Sequence, residues 1–164
     1  MMLETAPVDE AHATMTAISS LPVSDDKIVF HTHVPVNREK WRNVVVRKAP
    51  SADHSVAKSC HFIVSDETQA VTTTELWKNQ ADGYHTFAPG DDWNSDSIGV
   101  CFVGELDDHA LGARKFSELM LLVRTLQHHF AVSPDRVYFH SELDDRTIRP
   151  SGPFVRAFSD RLIQ

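Results

Sequence analysis

Ten histidines and two cysteines are spread along this chain of 164 residues, and their placing decides what chemistry is open to it. His31 and His33 form a His-x-His after Ile28-Val29-Phe30, and His140 closes the run Arg136-Val137-Tyr138-Phe139. A neutral imidazole can ligate zinc or move a proton near neutral pH. His-x-His pairs serve metals in large barrel hydrolases, but a barrel needs more residues than this chain has. A lone histidine at a strand end is more often packed and hydrogen-bonded than a ligand, so His140 by itself carries little. His61 reads as core or groove lining. His85 lies in a long polar stretch and is the better candidate for ligand contact. His128 and His129 fall near the end of a helical stripe, where they complement the helix dipole. Asp107 and Asp108 suit a helix N-terminus, and Asp91 and Asp92 a solvated loop. Cys60 and Cys101 each sit in an apolar run. Two buried free thiols are the default for such residues, with a disulfide open if the two strands are neighbours.

The elements that must position these groups follow from periodicity. Trp41 to Val46, with three consecutive valines, has the β-branched signature of a strand buried on both faces. Ser59 to Val64 reads as a second strand, Ala70 to Leu76 as a third, and Ser97 to Val103 as the central one. Lys27 to Val34 suits a short strand limited by Pro35. Ala49 to Lys58 is a loop or short helix, and Lys78 to Asp96, with Gly83, Pro89 and Gly90, a long loop. Arg114 to Phe130 carries Phe116, Leu119, Met120, Val123, Leu126 and Phe130 on one stripe, the pattern of a core-facing helix. Arg136 to His140 is the last strand, and Phe154 to Ile163 a closing helix. The chain therefore reads as α/β, a central mixed β-sheet flanked by helices. It divides into a tail over residues 1–26 and one domain over residues 27–164.

Composition sets the bounds. Hydrophobic residues make up 41% and charged residues 24%, with a net charge of -7. That balance argues against a general nucleic-acid binder, which needs a basic face for phosphates. No apolar run approaches the ~20 residues that span a bilayer. Met1 to Ser20 lacks the basic start and apolar core of a secretion signal, so a cytoplasmic protein is the plain expectation.

Six pieces, in order, resemble the type 2 N-acetylmuramoyl-L-alanine amidases and their relatives, the peptidoglycan recognition proteins. They are Trp41 to Val46; Cys60-His61-Phe62-Ile63-Val64; Gly83-Tyr84-His85; Asn94 to Val100, with its Ser97-Ile98-Gly99; Phe139-His140 after the long helix; and Pro150 to Phe154. The resemblance implies that family's α/β fold and peptidoglycan fragments or muropeptides as ligands. It also implies a zinc site of two histidines and a Cys or Asp, assisted by a Tyr or Glu. The metal lowers the pKa of its bound water so that hydroxide attacks an amide at neutral pH.

Carried onto this chain, that site is altered. The first ligand position falls at Arg47, a permanent cation that cannot bind zinc. The second is present as His140. The third falls at Arg149 or Pro150, and the assisting Tyr at Cys60. A rival register makes Ile28 to His31 the first strand, with His31 as ligand beside His140 and with Asp144 or Asp145 as the third. The reading preferred here is a degenerate amidase that binds muropeptides without zinc. Arg47, His61, His85, Asn94, His140 and Arg149 then line its groove, with the arginines facing ligand carboxylates. A zinc amidase with a rearranged site, or a scaffold for protein partners, are the alternatives.

Overall fold

A computed structural model describes residues 27–49, 54–65, 71–85, 92–104, 112–143 and 149–164. The tail reading for residues 1–26, and the readings of Asp91, Asp107, Asp108, Asp144 and Asp145, fall outside them. The strands are β1 (Asn43–Ala49), β2 (Phe62–Ser65), β3 (Thr72–Thr73), β4 (Ser97–Val103) and β5 (Val137–Phe139). The helices are α1 (His54–Ser59), α2 (Glu75–Lys78), α3 (Asp92–Asp96), α4 (Gly112–Phe130), α5 (His140–Leu143) and α6 (Gly152–Asp160). The sheet order is β3-β2-β4-β1-β5. Only β3 runs antiparallel to its neighbour, which makes the sheet mixed, as expected.

β4 lies between β1 and β2, and all seven of its residues are buried. A central strand covered on both faces must be apolar on both, hence Ser-Ile-Gly-Val-Cys-Phe-Val without polar alternation. Successive side chains point to opposite faces. Val44, Val46, Ile98, Val100, Phe102, Phe62, Val64 and Phe139 share one core with Leu119, Met120, Val123 and Leu126 of α4 and Phe154 and Phe158 of α6. The opposite face holds a smaller cluster of Ala49, Val56, Cys60, Cys101 and Val103.

Local chemistry fixes the helix ends. Ser151 caps α6, its hydroxyl accepting from the Phe154 amide at 3.3 Å, with Pro153 in the first turn where no N–H is needed. α4 ends at Ala131, whose φ of 54° turns the chain into the left-handed region. Buried Gln127 holds that turn to the C-terminus: its amide donates to the Val132 and Ile163 carbonyls at 3.2 and 3.1 Å and accepts from the Ile163 amide at 2.9 Å.

Three sequence expectations are corrected. Residues 27–29 are helical, not a strand. Their surroundings override the β-branched pattern: the Trp77 indole donates to the Val29 carbonyl at 3.0 Å and the His33 amide to the Lys78 carbonyl at 2.7 Å, so this segment joins α2, not a ladder. Of Ala70 to Leu76, the described part is strand only at Thr72–Thr73: the Thr74 amide still donates to the His61 carbonyl at 3.0 Å and its hydroxyl to the Cys60 carbonyl at 2.7 Å, but α2 begins at once at Glu75. The default of two free thiols also fails. Ile63 pairs with Cys101, which brings the Cys60 end of β2 against β4, and Cys60 and Cys101 form a disulfide with a Cα–Cα distance of 5.9 Å.

Candidate functional site

Because β1, β4 and β5 are parallel, their carboxyl ends open on one edge, the place where open α/β sheets gather ligands. Val46 pairs with Phe139, so Arg47 of β1 and His140, the residue after β5, follow side by side. Arg47 is half-buried and donates from Nη1 to the Ser59 hydroxyl at 3.2 Å. His140 is buried at the start of α5. By alternation Val45, Arg47, Gly99, Cys101 and Tyr138 all face away from the α4 core. On this face Trp93 of α3 meets Tyr138 edge to face at 4.7 Å between ring centroids, both half-buried.

Behind that face three imidazoles form a row. Ring centroids lie 6.4 Å apart for His61 and His85 and 6.0 Å apart for His85 and His140. His61 is completely buried, wedged edge-on to Trp41 at 4.9 Å and Trp77 at 5.9 Å. Its Nδ1 accepts from the Gly99 amide at 2.9 Å, which leaves Nε2 to donate to the Ala81 carbonyl at 2.8 Å. Burial lowers its pKa to about 4, against the hydrogen bond to Ala81. His85 is 1% exposed, and its Nε2 donates to the Ser97 carbonyl at 3.1 Å. Burial lowers its pKa to about 3, helped by the neighbouring His61, His140 and Arg47. Its Nδ1 therefore carries a bare lone pair, buried and without a hydrogen-bond partner among the described residues.

Two glycines make room for this row. A Cβ on Gly99 would stand 2.3 Å from the Ser59 carbonyl oxygen and 2.8 Å from His85 Cε1. A Cβ on Gly83 would meet the same oxygen at 2.6 Å. Any side chain at either position would push α1 or His85 out of place.

The residues named from sequence separate into two sets. Arg47 and His140 come together at the strand ends, with Cys60 nearby but used in the disulfide. Asn94 acts from behind: its side-chain oxygen accepts from the His85 amide at 2.6 Å. His61 and His85 do not line an open groove; they are interior supports, because their polar edges are needed to satisfy Gly99, Ala81 and Ser97. Arg149 is exposed, Pro150 is buried, and the Arg149 charge opposes the rise in the Glu142 pKa that burial causes. His31 is exposed beyond a helical turn, so it does not end a first strand; that strand is β1. Sequence reading missed Ser59, the Trp93–Tyr138 pair and Glu142. Trp93 stands directly before Asn94 of the matching segment and could have been found there.

Zinc is the group this family implies. Among the described residues no three His, Cys, Asp or Glu side chains gather closely enough to hold a metal ion. Both cysteines are bonded to each other and the neighbour of His140 on β1 is Arg47, which cannot bind a metal, so the described residues do not by themselves make a three-ligand zinc site. Among the described residues no helix is long and apolar enough to cross a membrane.

Solved structures with the same architecture include a mutant endolysin from Bacillus subtilis, 18% identical, with a TM-score of 0.57 over 76% of this chain and 86% of that one. The catalytic domain of XlyA is 19% identical, with a TM-score of 0.57 over 76% of this chain and 87% of that one. The endolysin N-acetylmuramoyl-L-alanine amidase LysCS from Clostridium intestinale is 14% identical, with a TM-score of 0.54 over 79% and 89%. No curated protein sequence matches the chain. The family model for N-acetylmuramoyl-L-alanine amidase matches residues 21–152, most of the chain, including both the strand edge with Arg47 and His140 and the buried histidine row. The protein belongs to the type 2 N-acetylmuramoyl-L-alanine amidase family.

Proposed function

We propose that this domain binds peptidoglycan fragments at the Arg47–His140 edge and does not hydrolyse them through zinc. The observation that carries the reading is Arg47 itself. It takes the place that the family resemblance gives to a ligand, and it is held there by Ser59 at 3.2 Å. A guanidinium at a metal position repels a cation and favours an anion, and its planar fork suits a carboxylate. Muropeptides carry carboxylates on their lactyl and stem-peptide parts. Trp93 and Tyr138 supply a half-exposed aromatic wall on the same face, suited to sugar or peptide backbone.

The test has two arms. Protein purified without chelator is assayed for zinc by elemental analysis, and muropeptides are titrated while released stem peptide is followed. The reading expects muropeptide binding, substoichiometric zinc and no release. One zinc per chain with stem-peptide release would overturn it. One observation favours that second reading, a working hydrolase: the bare Nδ1 of His85, whose ring lies 6.0 Å from that of His140 between centroids.

A further inference from the structure

At the opposite end of the same strands lies an open cleft of about 580 Å³. Arg38, Arg42 and Arg136 stand on its rim with Glu39, and Trp41 and Phe130 form the floor. Arg42 precedes β1 and Arg136 precedes β5, whereas Arg47 and His140 lie at the far ends of those strands. The five residues from Arg42 to Arg47 separate the two places by ~16 Å, at a strand rise of ~3.3 Å per residue.

Backbone carbonyls and an aromatic ring hold two of the three guanidiniums, and one carboxylate, Glu39, shares the rim. Arg136 donates from Nε to the Arg42 carbonyl at 3.2 Å. Arg38 donates to the His129 carbonyl at 3.4 Å and lies over the Phe30 ring, 5.8 Å from its centroid. Among the described residues no Asp or Glu forms an ion pair with any of the three. Two acids are adjacent to these arginines in sequence: Glu39 shares the rim, and Asp135 accepts from the Ser133 hydroxyl, a bond that with the smaller effect of the Arg136 charge lowers its carboxyl pKa. Three exposed arginines against one glutamate line this cleft in a chain whose net charge is -7. Repulsion among them is relieved when an anion enters between them.

We infer that this cleft binds a ligand bearing more than one oxyanion group, phosphate or carboxylate, independently of the Arg47 edge. The forked donors of Arg42 and Arg136 fit either group bidentately, and the cleft is larger than a single phosphate ion needs. The test titrates the whole protein with pyrophosphate and, separately, with citrate, each at fixed ionic strength against chloride, read by calorimetry. Saturable binding of at least one is expected, weakened about tenfold or more by R42Q and by R136Q. Arg42 makes no side-chain bond among the described residues, so R42Q tests the cleft even if R136Q fails to fold. Pyrophosphate alone would assign a phosphorylated ligand, and citrate alone a polycarboxylate. Binding that neither variant weakens, binding abolished by R47M instead, or no saturable binding of either probe overturns the inference.

Discussion

The two faces of the sheet are made by the same strands and obey different rules. The face under α4 and α6 is a continuous apolar core from Val44 to Phe158, held by area removed from water. The other face keeps only Ala49, Val56, Val103 and the Cys60–Cys101 pair as its apolar part. The rest is a histidine row, two glycines without room for a methyl group, and Arg47 on Ser59. The first face tolerates change in proportion to volume. The second depends on single atoms, because His61 and His85 each hold particular backbone groups, of Gly99, Ala81 and Ser97.

Gly99→Ala should give the largest effect. The new methyl meets the Ser59 carbonyl at 2.3 Å, and the strand and α1 cannot both keep their places. A loss of about 4 kcal/mol or more is expected in chemical denaturation, against the 1–3 kcal/mol usual for overpacking. A loss under about 1 kcal/mol would show that this face yields as readily as the other. Phe102→Ala on the apolar face should cost about 3–5 kcal/mol through transfer and cavity, with the histidine row intact by NMR.

Reduction of the disulfide, or Cys101→Ser with Cys60→Ser, comes next. The bridge spans a sequence separation of 41 and should contribute ~2–4 kcal/mol. Two free thiols in the native, unreduced protein by thiol titration would contradict it.

The histidine row makes stability depend on pH. In the unfolded chain His61 and His85 take up protons near pH 6.5; in the folded protein they do so only near 4 and 3. The unfolded state therefore binds more protons between those values. The row's contribution is full above about pH 6.5 and falls as pH drops, by ~1.4 kcal/mol per histidine per pH unit. Denaturation midpoints between pH 7.5 and 4.5 measure this. A flat profile would mean that the rings are not buried neutral.

Arg47→Met should do least to the fold and most to the proposed ligand. The side chain is half-buried and the variant keeps its apolar stem, so stability should stay within ~1 kcal/mol. Muropeptide affinity should fall about tenfold or more. Unchanged affinity would remove Arg47 from the site.

Much of the fold was readable in the chain because burial leaves a periodic trace. β4 starts and stops where its apolar run does, at Ser97 and Val103, and the stripe of α4 announces the face it covers. That Arg47 and His140 would be neighbours was legible because β1 and the last strand have fixed places in the matching segments. His61, read as core or groove lining, is core; His85, read as the better ligand contact, is buried, because a histidine's letter says nothing of which carbonyl or amide it will meet. The segment after Lys27 misled for a related reason: its β-branched residues fit a strand, but Trp77 and Lys78 took up its backbone groups first.

The amino-acid order alone determined the α/β class, the central strand and the long helix, since all of these rest on local pattern and residue type. Only the tertiary structure decided that Cys60 and Cys101 bond, that the imidazoles stand in a row behind the surface, and that Arg38, Arg42 and Arg136 share a cleft. Those are distances between residues remote in sequence, set by strand register and helix packing, which no local pattern encodes.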